Sequence, residues 1–589
     1  MRTGINLLFA SLLLACLVVP ATNAQTIYFV GAGSSAMWQE FALAAVNDPA
    51  INGPGSHHWT TKGTCPDGDN CAQAFDSRSG PGGSVSEHQG GNLWVVWNAN
   101  KTRVWAYLSV DSVVGNRLFF ATPRATLQID SNALSAPNAS SGMNLISPLL
   151  FNYGIDSDGA NGCPTGNKHC DDTLLPSDIY DALNNAPITA ALTDIRPEDA
   201  LFASDRVNCP PPINLGCLGY GVSGSPTGNP VLSAFSKSKA TPVKYAITGN
   251  DPVSGDAVPT SVVTYPVGVQ PVIILVNRQD TAGLGQKTAA GVPLITNVTH
   301  SPQLQTIFSG ANCNTSVFGV TGAAAHAIFP ILREPLSGTM NTFEFTNLTN
   351  PIPANKFVNS QETRVGAHNP LETACSAGGG KRYRAIGTGE AAGAVFDGNG
   401  STIFSGVDAI GYVFFSYGNV SKMAGSSSYG YLTLDGVDPL EGNPGHAANG
   451  VLPACIGPTG AAPCPVAPNT TFKNLRNGDY RSFSFLRLIT DKGVEGSYAQ
   501  ELVKAAQEDV NLFVPDFVPY VTSNGDHGMS VYRSHFAVTI PDVTLPAPNN
   551  GVPFADPSRE SGGDVGGCIE PIAKNVLGEH ENVTGGCTQ

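Results

Sequence analysis

The stretch Arg333-Glu334-Pro335-Leu336-Ser337-Gly338-Thr339 places a guanidinium, two hydroxyls and a glycine within seven residues. An arginine offers a planar fork of N–H donors that matches two oxygens of a phosphate or a carboxylate. Ser337 and Thr339 add hydroxyls, and a helix that begins at Ser337 or Gly338 directs unpaired backbone N–H groups at the same ligand. The stretch therefore predicts an oxyanion site, and the alternative interpretation is a surface loop with a capped helix behind it.

A second construction of this kind opens the region after residue 24. A strand at 26–30 is followed by Gly31-Ala32-Gly33-Ser34-Ser35-Ala36 and then by a helix that ends near Asp48, since Pro49 follows. A glycine turn between a strand and a helix N-terminus is an anion-binding arrangement. It also fits the Gly-x-Gly-x-x-Ala pattern of dinucleotide-binding enzymes. A tight strand-to-helix turn without a ligand is the third interpretation.

Two further polar residues follow predicted strands. The apolar segment 190–193 ends at Asp194, which places a carboxylate at the end of a strand, where open α/β sheets bind ligands. Segment 107–115 reads as a strand that ends in a polar turn at Ser112. Later strands are predicted at 267–276, 408–417 and 483–489, and helices at 177–183, 303–308, from 387 onward and at 498–510.

In this order, four segments resemble the periplasmic phosphate-binding proteins of ABC uptake systems. They are Gly31 to Ser35, Thr193-Asp194-Ile195-Arg196-Pro197, the stretch from Arg333 to Thr339, and Ala409-Ile410-Gly411-Tyr412-Val413. The resemblance spans roughly residues 26 to 515. It implies an α/β protein with the two-lobe, type 2 periplasmic-binding-protein fold, here with loop-rich, disulfide-stapled insertions.

The resemblance also implies a ligand-binding set. Its members are Ser34, Ser35, Ala36, Ser112, Asp194, Arg333, Ser337, Gly338 and Thr339. A carboxylate beside an anion is repulsive unless that anion carries a proton, so Asp194 is expected to select protonated phosphate over sulfate. The sequence departs from the family's pattern at Ala36, where an aromatic residue is usual, and at Pro335, where an acid usually pairs with the arginine. Glu334 is a substitute for that acid.

The basic residue, apolar run and small residues at the N-terminus indicate a signal peptide, and the resemblance divides the rest of the chain. Residues 1–24 are expected to be a signal peptide, residues 25–265 and 482–545 the first lobe, and residues 266–481 the second lobe. The first lobe carries insertions at 53–105, 121–190 and 205–260, which we expect to be loop-rich, and residues 546–589 form a Pro/Gly-rich tail.

Cysteine usage agrees with export to the periplasm or the medium. The sequence predicts disulfides between neighbouring cysteines, although it does not establish their connectivity. The pairs are Cys65 with Cys71, Cys163 with Cys170, Cys209 with Cys217, Cys313 with Cys375, Cys455 with Cys464, and Cys568 with Cys587. Lipidation at Cys16 is the less favoured alternative, because the apolar run continues past it. The cysteine and histidine spacings match no common metal motif, so we expect no metal site and no cofactor.

Composition limits the possible partners. A chain of 589 residues that is 41% hydrophobic is long enough for two or three domains. Its net charge of −15 argues against binding to nucleic acid or to an anionic membrane surface, and no segment after the leader has the length of a membrane helix. The prediction is a solute-binding protein that captures phosphate or a similar oxyanion and serves an ABC permease. The alternatives are a secreted surface or assembly protein that reuses the scaffold, and an enzyme with a nucleotide site.

Overall fold

The computed structural model describes seven main segments of the chain. They are residues 25–47, 56–61, 71–134, 170–194, 261–348, 372–441 and 472–519, apart from short internal gaps, with four short strands between residues 531 and 571. The expected signal peptide, Cys16, the insertion at 205–260 and nearly all of the tail at 546–589 lie outside these residues, so they stay predictions.

Within the described residues, twenty-four strands form the sheets, and they are labelled in chain order. The first twelve are β1 (Thr26–Ser34), β2 (His57–Thr61), β3 (Ala72–Asp76), β4 (Ser79–Gly80), β5 (Gly83–Ser84), β6 (Glu87–Gly90), β7 (Asn92–Trp97), β8 (Arg103–Val110), β9 (Thr126–Ile129), β10 (Cys170–Asp171), β11 (Ala190–Thr193) and β12 (Val262–Asn277). The others are β13 (Asn297–Val298), β14 (Phe329–Arg333), β15 (Glu372–Ala374), β16 (Lys381–Ala385), β17 (Ala409–Phe414), β18 (Tyr429–Leu434), β19 (Phe483–Asp491), β20 (Val518–Pro519), β21 (Val531–Tyr532), β22 (Thr539–Thr544), β23 (Pro553–Ala555) and β24 (Glu570–Pro571).

Eight α-helices accompany them within the described segments. They are α1 (Trp38–Asn47), α2 (Ser112–Phe120), α3 (Ser177–Leu183), α4 (Gln305–Phe308), α5 (Gly338–Phe343), α6 (Thr388–Asp397), α7 (Lys473–Arg476) and α8 (Val494–Ala505). Short 3-10 turns cover Ser35–Met37, Ser131–Leu134 and Thr315–Phe318, and π-type turns cover His300–Leu304 and Glu344–Leu348. None of the helices in the described part of the chain combines the length and the hydrophobicity that a membrane crossing requires.

One large mixed sheet organises the molecule. Its strand order is β10-β2-β7-β8-β1-β11-β19-β12-β17-β14-β16-β15, with β13, β18 and β20 attached beside this path. Strands β8, β1 and β11 run parallel, and so do β17, β14 and β16. We call the part from β10 to β11 the first half-sheet and the part from β17 to β15 the second half-sheet. The α/β class predicted from the sequence is confirmed.

Two long antiparallel strands join the half-sheets. β12 pairs with β19 from Val262 to Pro271 and then pairs with β17 from Val272 to Val276. Strand β12 therefore links β19, which pairs with the first half-sheet, to β17, the first strand of the second half-sheet. The predicted lobe boundary at 265–266 lies inside β12, before the residue at which its partner changes.

Helices cover both faces of the first half-sheet. The buried helix α1 and the inner face of the amphipathic helix α8 pack with Trp105 and Leu192 on one face of the sheet. Helices α2 and α3 pack with Val30 and Leu108 on the other face. A parallel sheet needs this double cover, because its strands carry apolar side chains on both faces. The covered sheet gives a rigid frame from which the strand ends project.

The structure corrects some of the predicted helices and strands and confirms others. Segment 53–105 was expected to be loop-rich, but β2 and β7 extend the sheet there, because alternating residues such as Trp59 and Trp94 bury their rings. From Ser112 onward the chain forms helix α2, where the sequence predicted only a short polar turn after the strand. The helix at Ser177–Leu183 and the strand before Asp194 are confirmed.

The disulfide between Cys313 and Cys375 is confirmed, with a Cα–Cα distance of 6.0 Å. Cys71 is also disulfide-bonded. Cys170 lies in β10, and the remaining predicted pairs include residues outside the described segments, so those pairings stay predictions.

Candidate functional site

The predicted ligand-binding residues follow the C-terminal ends of parallel strands. Ser35 comes after β1, Ser112 after β8 and Asp194 after β11, all in the first half-sheet. Arg333 is the last residue of β14 in the second half-sheet, and the stretch leading to Thr339 follows it. Because β1, β8 and β11 are parallel neighbours, their ends share one edge. The sheet thus brings together residues that are far apart in sequence.

The backbone at the end of β1 requires a glycine at position 33. Its φ is +145°, a conformation that L side chains rarely adopt, and a Cβ there would overlap the backbone carbonyl of Leu192. The glycine lets β1 and β11 approach closely, so that Ser35 and Asp194 project from adjacent strands. Packing therefore accounts for the second glycine of the Gly-x-Gly-x-x-Ala pattern.

Arg333 is buried at the centre of the site, with 1% of its surface exposed. Its Nη1 donates to Thr388 Oγ1 at 3.0 Å and to Thr339 Oγ1 at 3.3 Å. Its backbone is held as well, since its N–H donates to the Tyr412 hydroxyl and its carbonyl accepts from Arg384. The guanidinium is thus fixed in position before any ligand arrives.

Tyr412, from the Ile410-Gly411-Tyr412 part of β17, supports this arginine. Its ring stacks on Phe343 of α5 with centroids 3.8 Å apart and planes within 3° of parallel. The stacked pair fixes the helix that follows the Arg333 stretch against the strand next to β14. This is the structural role of the fourth segment recognised in the sequence.

The two half-sheets meet at the site. The hydroxyls of Ser35 and Thr388 form a hydrogen bond of 2.7 Å, although the two residues are far apart in sequence. Asp111 Oδ1 lies 3.8 Å from Arg333 Nη2, and both side chains are 2% exposed. Asp111 is therefore an acidic neighbour of the arginine, which is the role that the sequence analysis assigned to Glu334. Glu334 lies outside the described residues.

Asp194 is the buried carboxylate of the site. Ser112 donates a hydrogen bond to Oδ1, and Oδ2 has no hydrogen-bond partner among the described residues. Burial raises the pKa of Asp194 from 3.8 to about 6, although the Ser112 hydrogen bond and the positive charges of Arg333 and Arg487 oppose the shift. The carboxyl group can therefore exist in either protonation state near neutral pH.

Gly338 packs directly on this carboxylate. A Cβ at Gly338 would overlap the Asp194 carboxyl group, so only glycine lets the start of α5 reach it. Ser337 Oγ accepts from the Met340 backbone N–H at 3.3 Å, and Ser34 Oγ accepts from the Ala36 N–H at 3.2 Å. Ser34 and Ser337 therefore cap the turns that follow them.

The structure gathers the predicted residues and adds three more. Ser35, Ser112, Asp194, Arg333, Gly338 and Thr339 converge, with Ser34, Ala36 and Ser337 in the turns beside them. Thr388, Asp111 and Arg487 were not predicted. Thr388 opens a helix after a glycine, a signal that the sequence offered. Arg487 lies inside strand β19 opposite Thr193 and carries no local signal.

This set of groups suits an oxyanion. A fixed guanidinium and several hydroxyls supply donors, and buried donors of this kind favour a ligand rich in oxygen lone pairs. The Asp194 carboxylate is an acceptor when it is ionised and a donor when it is protonated. The described residues can therefore distinguish anions by whether they carry a proton.

Comparisons with known proteins gave matches only among solved structures. No family model and no curated protein matches the sequence. A putative phosphate ABC transporter substrate-binding protein with bound phosphate from Clostridium perfringens is 13% identical, with a TM-score of 0.24; the match covers 42% of this chain and 66% of that one, just under two thirds.

Two other matching structures have similar descriptions. An ABC-type phosphate transport receptor from Vibrio cholerae is 15% identical over 43% of this chain and 69% of that chain, with a TM-score of 0.22. An ancestral soluble variant of the human phosphate binding protein is 15% identical over 63% of this chain and 86% of that chain, with a TM-score of 0.28. Scores of this size leave the functional conclusion to the geometry of the site.

Proposed function

We propose that this protein is an exported solute-binding protein that captures inorganic phosphate, or a closely related oxyanion, between its two half-sheets. The observation that carries the proposal is the meeting of buried Arg333 and buried Asp194, each surrounded by hydroxyls, at the ends of parallel strands from opposite half-sheets. A cation alone would suit any anion. The pairing with a buried acceptor suits one that carries a proton.

A chain of hydroxyls links the arginine to the first half-sheet. Because Arg333 donates to Thr388, the Thr388 proton is available to Ser35, and the Ser35 proton is then available to the anion. Hydrogen bonds in such a chain strengthen one another. Ser35 and Thr388 therefore act together as one donor arm of the site.

Asp194 provides selectivity. Its Oδ2 accepts the proton of monoprotonated or diprotonated phosphate, whereas sulfate is fully ionised near neutral pH and offers none. A buried acceptor that faces an unprotonated anion costs about 1–3 kcal/mol or more. Ser112 holds the other carboxylate oxygen and so orients the group.

Calorimetry tests this proposal. The exported chain, freed of carried-over anion by unfolding and refolding, is titrated with phosphate, arsenate and sulfate at neutral pH. Phosphate and arsenate are expected to bind, and sulfate to bind far more weakly. No heat with any of the three would overturn the proposal, and tight sulfate binding without phosphate binding would reject Asp194 as the selecting group.

The same proposal includes a transport partner and a location for the protein. A bound oxyanion would be passed to an ABC permease, with the protein in the periplasm or outside the cell, and binding would involve no covalent chemistry. Uptake of labelled phosphate by cells that lack this chain tests the partner. If the purified protein binds phosphate but cells that lack it take up phosphate at an unchanged rate under phosphate limitation, a secreted role independent of transport would be favoured.

A further inference from the structure

A second group of polar side chains lies in the second half-sheet, away from the anion site. Asp280 follows β12, His326 precedes β14 and Asp408 precedes β17. β14 and β17 are parallel, with Phe329 opposite Ala409, so their first residues share an edge. Arg333 lies at the other end of β14, and at about 3.3 Å per residue the strand alone separates the two places by about 13 Å. The two sites are therefore distinct.

The three side chains are close enough to share one ion. One ligand atom from each lies within 4.8 Å of the others, and His326 Nδ1 is 3.1 Å from Asp280 Oδ2. With metal–ligand distances of about 2.0–2.2 Å, neighbouring ligand atoms around a metal ion lie roughly 3–3.5 Å apart. The imidazole and the Asp280 carboxylate already have this spacing.

Charge balance also favours a cation. Asp408 is only 4% exposed and its Oδ1 accepts from the Leu284 backbone N–H at 2.7 Å, while its carboxyl group faces that of Asp280. Among the described residues, neither carboxylate pairs with a lysine or an arginine; His326 is their basic neighbour. The two carboxyl groups are hydrogen-bonded to each other through a shared proton, and a bound cation would take the place of that proton.

A histidine–aspartate pair elsewhere in the same part of the chain shows the contrast. His300 Nδ1 lies 2.7 Å from Asp435 Oδ2, and Arg481 Nη1 reaches the same oxygen at 3.4 Å. There the second neighbour is a cation, so the carboxylate is balanced by side chains. At Asp280 the second neighbour is another carboxylate. The His300 pair is therefore a matched control.

We propose that Asp280, His326 and Asp408 bind one divalent transition-metal ion, with Zn²⁺ as the best match to two carboxylate oxygens and one imidazole nitrogen. Water would complete the coordination. The ion would tie together the ends of β12, β14 and β17 and so stabilise the second half-sheet. The sequence predicted no metal site because these ligands come from three separate segments and show no local spacing.

Metal binding is measured on the full exported chain after treatment with a chelator. Zn²⁺ is titrated in competition with a chromophoric chelator, and thermal unfolding is followed with and without Zn²⁺. The wild type and His300→Gln are expected to bind one more equivalent than His326→Gln and Asp408→Asn, or to bind at least about tenfold more tightly. Zn²⁺ should raise the unfolding temperature of the wild type and His300→Gln only.

Two variants keep the test decisive. Asp408 is buried, so Asp408→Asn is paired with His326→Gln, whose side chain is partly exposed and whose folding is checked by circular dichroism. Absence of Zn²⁺ binding by the wild type would overturn the proposal. Equal Zn²⁺ stoichiometry and affinity in the wild type and folded His326→Gln would overturn it as well, because the metal would then be bound elsewhere.

Discussion

The two half-sheets present different chemistry at the same site. The first contributes the Asp111 and Asp194 carboxyl groups with the Ser35 hydroxyl, whereas the second contributes the Arg333 guanidinium with the hydroxyls of Thr339 and Thr388. Both sets project from C-terminal ends of parallel strands. The difference teaches that one frame, used twice, separates two chemistries. In the proposed function the second half-sheet supplies attraction for an anion, and the first supplies discrimination between anions.

Removal of the Arg333 guanidinium has the largest expected effect on phosphate binding. Arg333→Gln should weaken phosphate binding by about a hundredfold or more, equivalent to about 3 kcal/mol, because a charged and buried donor is lost. The measurement is calorimetric titration with phosphate. Arg124→Gln, which removes an arginine paired with Asp491 at the end of β19, is the control. Equal affinities for Arg333→Gln and the wild type would place the anion elsewhere.

The second-largest effect is the pH dependence of stability that the Asp194 carboxyl group of the first half-sheet confers. The pKa of Asp194 is raised from 3.8 to about 6, so the folded protein holds a proton that the unfolded chain releases. This contribution is fully present below pH 3.8 and is lost as pH rises through about 6. It corresponds to about 2–3 kcal/mol in the ligand-free protein.

Denaturant unfolding at several pH values measures that contribution. The wild type should lose stability relative to Asp194→Asn between about pH 4 and pH 6, whereas the difference should be constant above that range. Parallel pH profiles for the two proteins would contradict the raised pKa.

In the proposed function, the same aspartate decides selectivity between phosphate and sulfate. Asp194→Asn replaces the acceptor with a group that can donate N–H bonds, so sulfate should gain affinity relative to phosphate by about ten- to a hundredfold, or about 1–3 kcal/mol. Competition between the two anions measures the ratio. Ser112→Ala removes the hydroxyl that donates to Oδ1 and accepts from the Asp194 backbone N–H but keeps the carboxylate, so it should change the ratio less. An unchanged ratio in Asp194→Asn would assign discrimination to other residues.

The contact between the half-sheets gives the smallest effect. Thr388→Val and Ser35→Ala should each weaken phosphate binding by roughly tenfold or less, about 1 kcal/mol, and the double variant should lose less than the sum. Thr433→Val, whose hydroxyl bonds the exposed Asn297 side chain, is the control. Full additivity would mean that the two hydroxyls act separately, and the comparison of half-sheets would then need no shared donor arm.

Local sequence predicted the parts of the site that lie in continuous stretches. The Gly31–Ser35 turn, the strand before Asp194 and the stretch from Arg333 to Thr339 each combine a strand end with polar residues and glycine, a pattern set by backbone geometry. Thr388 was missed because a single threonine at a helix start has many possible roles. Arg487 was missed because inside a strand it gives no periodic signal.

The extent of the sheet was harder to predict. Segment 53–105 is rich in glycine and polar residues between short apolar runs, which favours loops locally, yet β2 and β7 gain their stability by pairing with each other and with β8. Strand pairing depends on distant partners more than on intrinsic preference. The sequence therefore underestimated the size of the first half-sheet.

By itself, the sequence determined which residues offer anion chemistry and that they follow strands of an α/β protein, because glycine turns, strand ends and an arginine beside hydroxyls are local features. Only the tertiary structure decided which of them meet. It placed Asp111 beside Arg333, Thr388 against Ser35 and Gly338 on Asp194, and it gathered Asp280, His326 and Asp408 at the opposite edge. The physical reason is that contacts between distant segments follow from sheet order and burial, which no short stretch of sequence encodes.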